Sequence, residues 1–255
     1  MSLSNPNLTN PAQHFFQWKG GDGKLVWWDK ENAKEVQVRI PFEFIVLDEL
    51  HTVTGYSDQD DSGFWSNETR STREDFTVKT KRGVRYVGPY KDDKGVVQIP
   101  VGARYTKSIY IAHQIKDEWV IGHIKLLGAG LTAWIEFSKQ HSVTSGKITL
   151  AGSTEESKGT THYHIPTFAW SQWEPQDYAK AVELDKQLQV YLNQYLTAPK
   201  YDDNAEPAID YDDVGKATPE QEAEYEALKA KKKAPQDKVI TDISDEPINL
   251  DDIPF

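Results

Sequence analysis

The sequence predicts a mainly β domain, an antiparallel sandwich or barrel, with one long helix added at its carboxyl end and a disordered acidic tail behind it. Three observations carry this. Short β-branched and aromatic runs recur between Gly, Pro and Asp turn signals through the first two thirds of the chain, without the alternating helices of a βαβ fold. One stretch, 175–197, has helical rather than strand spacing. The composition then breaks near residue 199: of 29 basic and 40 acidic residues in 255, residues 1–199 hold 22 and 24, and residues 200–255 hold 7 and 16.

The elements follow in order. Gly20-Gly21-Asp22-Gly23-Lys24 reads as a hairpin turn with Trp18, Trp27 and Trp28 on its flanking strands. Adjacent strand residues face opposite sides, so one of Trp27 and Trp28 should be exposed or roofed by the 175–197 helix. Val36 to Ile40 alternates cleanly and runs on into Phe42, Phe44 and Leu47 as one strand. Phe76 to Thr80 and Tyr105 to Ile115 continue the pattern, with further strands at 118–127, 147–151 and 162–170 and a short helix at 130–139. The helix 175–197 opens on Pro175 and repeats Tyr178, Val182, Leu188, Tyr191, Leu192 and Tyr195 along one stripe; Pro199 stops it. That stripe suits either a dimer contact or packing on its own domain. The domain is therefore drawn at 1–198 and a flexible acidic tail at 199–255, which has too few apolar residues to offset its ordering entropy. Within the tail, Thr218-Pro219-Glu220-Gln221 forms a capping box, acids precede lysines, and a transient helix is expected at about 219–232.

Several chemistries are excluded or unsupported. With no cysteine there is no disulfide, thiolate metal site or thiol nucleophile. No run approaches the length of a membrane span, and the amino terminus lacks a signal-peptide pattern, so a cytoplasmic protein without a membrane partner is expected. Asp58-Gln59-Asp60-Asp61-Ser62-Gly63 imitates the start of a calcium loop, but its twelfth position is Thr69 where a Glu is required. Gly128-Ala129-Gly130-Leu131-Thr132-Ala133 matches a loose dinucleotide fingerprint without the surrounding βαβ unit. His162 and His164 share a strand face without a third ligand at metal spacing. No catalytic constellation, cofactor or metal site is called for.

The clearest functional signal is segregated charge. Residues 76–116 carry nine basic residues against Asp92 and Asp93, a net of +7, while 40–75 carry nine acids against Arg70 and Arg73, a net of −7. A single-strand binder needs cations to replace counterions and aromatic faces on which bases stack. Lys79, Lys81, Arg82, Arg85, Lys91, Arg104 and Lys107 interleave with Tyr86, Tyr90 and Tyr105, and form the first choice for such a groove, with Trp27, Trp28 and Trp65 as additional platforms. The competing reading is of solvated strand faces that balance the neighbouring acidic segment.

The chain closes on Asp251-Asp252-Ile253-Pro254-Phe255, a large ring beside a free carboxylate behind an acidic run. This ending, with the domain-then-arm layout, resembles bacterial and bacteriophage single-stranded DNA-binding proteins, and a divergent phage-like member in particular. The resemblance covers the last ten or so residues and the layout, not the body of the chain. It implies an oligonucleotide-binding (OB-fold-like) antiparallel barrel in residues 1–198 and a tip at 250–255 that docks replication and repair enzymes. The function expected is therefore sequence-independent binding and protection of single-stranded DNA in replication, recombination and repair, without catalysis, in a bacterium or a phage-infected cell. The alternatives are a β-sandwich carbohydrate module stacking sugars on Trp27, Trp28 and Trp65, and a small nuclease or annealing factor carrying the same tip. Oligomeric state is left open.

Overall fold

The computed structural model describes residues 9–198, apart from Lys30 and Asp117. The expected tail, its transient helix and the docking tip Asp251, Asp252, Ile253, Pro254 and Phe255 lie outside the described residues. Eleven strands and two helices follow one another as β1 (His14–Lys19), β2 (Lys24–Asp29), β3 (Lys34–Gln37), β4 (Phe42–Ser57), β5 (Ser62–Trp65), β6 (Phe76–Thr80), β7 (Gly83–Gly88), β8 (Ala103–Ile115), β9 (Glu118–Leu126), α1 (Gly128–Gln140), β10 (Lys147–Lys158), β11 (Thr161–Ser171) and α2 (Pro175–Thr197). The mainly β class and the bounds of the long helix agree with the sequence reading.

The strands form an open mixed sheet in the order β3-β2-β1-β9-β8-β4-β5-β6-β7, with β10 on the first part of β4 and β11 on β10. An all-antiparallel sheet was expected; instead β1 runs parallel to β9, with His14 opposite Gly122 and Gln17 opposite Lys125. About a hundred residues separate these strands, so no hairpin geometry dictates their relative direction. The continuous strand expected over 36–47 is also divided. Pro41 cannot donate to a ladder, and β3 ends at Gln37 while β4 begins at Phe42.

The two faces of the sheet are covered differently. On the inner face, Trp18, Leu25, Phe44, Ile109, Ile124 and Leu126 meet Trp134 of α1 and Phe168 of β11, enclosing an apolar core. Trp134 sits edge-on to Phe168 at 5.0 Å and is almost wholly buried. On the outer face, Leu188 and Leu192 of α2 are fully buried against Leu50, Tyr110 and Ile121, and Ala181 against Ile45 and Ala112. The apolar stripe of the long helix thus packs on its own sheet, each buried leucine contributing about 1.5–3 kcal/mol. A bulge between Val46 and Asp48 turns both Leu47 and Asp48 towards α2, where Gln189 Nε2 donates to Asp48 Oδ2 at 2.8 Å.

Candidate nucleic-acid interface

Alternation along each strand sorts the candidate residues onto these two faces. In β8, Ser108, Tyr110 and Ala112 face α2, so Arg104 shares the outer face while Tyr105 and Lys107 face inwards. Arg104 stands opposite Thr54 of β4, Thr54 opposite Trp65 of β5, and Trp65 opposite Lys79 of β6. Directly opposed residues share a face. Four adjacent strands therefore carry Arg104, Trp65 and Lys79 side by side on the outer face, with Tyr56 two residues along β4 from Thr54. Trp65 and Tyr56 are 44 % and 52 % exposed. Lys79 and Arg104 form no ion pair among the described residues. The Tyr56 hydroxyl donates to Asp61, which fixes the ring at the rim of the patch.

A second exposed group lies on the same face beyond the ground covered by α2. Trp27 pairs with Phe16 and turns inwards against His14 at 4.2 Å, so Trp28 is the exposed member of the pair, at 57 %. Phe15 of β1, edge-on to His123, is exposed beside it, and Gln17 and Lys125 are opposed across β1 and β9. Sequence reasoning missed Phe15, Tyr56 and Lys125. The signal for Tyr56 was present as continued alternation past Leu50, but Phe15 and Lys125 acquire their place only through the parallel β1–β9 pairing.

The remaining candidates are engaged elsewhere, and the single groove expected from 76–116 is not assembled. Arg85 Nε and Nη2 donate to Asp60 Oδ2 and Oδ1 at 2.6 and 2.7 Å, Thr80 Oγ1 donates to Asp60 Oδ2 at 2.7 Å, and Arg82 approaches the same carboxylate at 3.9 Å. The Thr80 hydrogen bond and the guanidinium hold this carboxyl below its ordinary range. Lys81 Nζ donates to the Asp61 carbonyl at 2.7 Å. The imitation calcium loop is thus the acidic partner of the β6–β7 turn. Tyr90 and Tyr105 are buried and packed on each other at 5.3 Å, and Lys107 pairs with Glu49 at 3.7 Å. Tyr86 is half-buried, its hydroxyl donating to the Pro89 carbonyl at 2.7 Å. Lys91 lies in the 89–102 loop, bridged to Val97. Cross-pairing of the basic 76–116 and acidic 40–75 segments therefore absorbs part of the charge contrast, because two oppositely charged segments of one sheet arm fold against each other.

A buried polar network lies between the two exposed groups. Glu68 accepts from Ser108 and from Tyr110 Oη at 2.8 Å, Ser108 also bonds His123 Nε2, and the Glu68 backbone N–H donates to Tyr195 of α2 at 3.1 Å. Burial acts to raise the Glu68 carboxyl, but His123, Ser108 and Tyr110 outweigh it and hold it below the usual range. Ser, His and Glu are the residue types of a hydrolytic triad. In a triad, however, the acid bonds one imidazole nitrogen and the serine the other. Here both gather at Nε2, His123 Nδ1 has no hydrogen-bond partner among the described residues, and Ser108 is fully buried. The arrangement fastens α2 to the sheet. Among the described residues no three His, Asp or Glu side chains are grouped to hold a metal ion, and no helix is long and apolar enough to cross a membrane. His162 pairs instead with Glu155 at 3.4 Å.

No family model, curated protein or solved structure matches this chain.

Proposed function

We propose that this protein binds single-stranded DNA without sequence preference on the outer face of an OB-type barrel, with no chemical step, and that the Asp251 to Phe255 segment docks DNA-processing enzymes. The observation that carries the reading is the Trp65, Tyr56, Lys79 and Arg104 patch: on one face, two exposed rings and two cations that form no ion pair among the described residues. Rings supply sequence-tolerant stacking, and unpaired cations release counterions on binding. Cations that already hold a carboxylate contribute little, which favours this patch over the Arg82 and Arg85 turn.

The barrel reading is supported by five strands. Long, bulged β4 pairs with β8 on one edge and β10 on the other; β8–β9 and β10–β11 are hairpins, and α1 joins them, as in a partly open Greek-key barrel. His164 N–H donates to the Gly20 carbonyl at 2.7 Å and Trp18 Nε1 to the His164 carbonyl at 3.0 Å, bringing β11 against the β1–β2 turn where such a barrel would close.

The test is titration of intrinsic Trp fluorescence with a thirty-mer of deoxythymidine at several salt concentrations. Quenching with a log–log salt slope of about −0.7 per neutralised phosphate is expected. Trp65→Ala should weaken binding by about 5- to 150-fold, the equivalent of one lost stacking platform at about 1–3 kcal/mol. Absence of binding by the wild type at low salt would end the proposal.

A further inference from the structure

The inner face of the sheet holds a cavity of about 420 Å³ beneath α1, which the outer patches do not touch. That volume falls within the range of about 300–1,000 Å³ seen for small-molecule sites. Lys107 Nζ and Glu49 Oε2 line it 3.7 Å apart, with side-chain exposures of only 12 % and 23 %. Trp134 Nε1 donates to Glu49 Oε1 at 2.7 Å, which orients the carboxylate and leaves its other oxygen beside the ammonium. The Tyr105 hydroxyl is held by His51, and Tyr105, almost wholly buried, closes the floor of the cavity. His141 and the exposed Ser142, just past the end of α1, stand at the rim.

The ligand chemistry follows from this set. A charged ligand of either sign meets a like charge, since ammonium and carboxylate are adjacent and of equal weight. A neutral ligand that presents an acceptor next to a donor satisfies both, and the half-buried ring of His141 at the rim suits a flat ligand better than a puckered one, while Trp134 and Tyr105 are almost wholly buried and only close the floor. Every nucleobase presents such an acceptor–donor edge. We propose that this cavity takes one nucleobase of a nucleotide, its edge on Lys107 and Glu49 and its ring beside His141 at the rim. This site is separate from the outer patch.

The test is isothermal titration calorimetry of the full chain with dAMP, dCMP, dGMP and dTMP separately, and with ribose 5-phosphate as a base-free control. At least one deoxynucleotide is expected to bind saturably at one site while ribose 5-phosphate does not. Lys107→Met removes the buried donor, and Ser142→Trp fills the rim from an exposed loop position without altering the core. Each should weaken nucleotide binding by about tenfold or more, as expected for loss of a charged hydrogen-bond partner or of the space itself. No saturable binding by the wild type, equal binding of ribose 5-phosphate, or wild-type affinity in either variant overturns the proposal. Thirty-mer binding reports on the outer patch independently: it should survive Lys107→Met and fall in Trp65→Ala, while nucleotide binding does the reverse.

Discussion

Lowering the pH from 7 to 5 should destabilise the domain through two buried histidines. Burial, reinforced by the Lys107 charge, lowers His51 from an ordinary 6.5 to about 4. Burial, reinforced by His14, does the same to His113, also to about 4. Both rings are almost wholly enclosed. His51 is bonded to Tyr105, and His113 lies among Phe16, Phe42 and His14, whose Nδ1 is 3.3 Å away. Because the folded values lie below the unfolded one, the unfolded chain takes up more protons between pH 6.5 and 4. Stability is therefore full above pH 6.5 and falls as the pH drops through that window. At pH 5 each ring accounts for about 2 kcal/mol, and the two together about 4 kcal/mol. With a urea dependence of about 2 kcal/mol per molar, the midpoint should move by about 2 M. The assay is urea unfolding followed by Trp fluorescence at pH 7 and pH 5. His113→Leu, which replaces a ring whose Nδ1 has no hydrogen-bond partner among the described residues, should remove about half of the pH effect. Identical midpoints at the two pH values, or an undiminished shift in His113→Leu, would refute the reasoning.

Other consequences can be measured directly. Lys79→Gln and Arg104→Gln should each flatten the salt slope of oligonucleotide binding by about 0.7, whereas Arg85→Gln should leave the slope unchanged and lower the thermal midpoint, because that guanidinium holds Asp60. Leu188→Ala opens a cavity under α2 and should cost about 2–5 kcal/mol in urea unfolding, since the side chain is fully buried. Gly122→Ala should also destabilise, as a Cβ there would lie 2.8 Å from the His113 ring and 3.0 Å from Phe16; circular dichroism melting reads this directly. Removing residues 240–255 takes away five acids and is expected to raise thirty-mer affinity at low salt but not at high salt. Unchanged affinity at low salt would mean that the acidic segment does not compete for the site.

Local physics made much of this protein legible from its residues alone. The β1–β2 hairpin follows from Gly20 to Gly23, α2 from Pro175 and its apolar spacing, and strands β6, β8 and β9 from β-branched and aromatic runs, all set by neighbours a few positions apart. The exposure of one member of Trp27 and Trp28 followed from strand alternation, although alternation does not say which. Charge and aromatic content pointed to Trp65, Lys79 and Arg104, but equally to Tyr90, Tyr105, Arg85 and Lys107. Tertiary structure separated the two sets. Alternation puts Arg104 and Tyr105 on opposite faces, yet only the docking of α2 and α1 decides which face is outer and which encloses a core. Arg85 finds Asp60 across 25 residues, and β1 finds β9 across about a hundred. Such pairings depend on the closure of long loops and the packing of whole faces, energies that no local sequence pattern encodes.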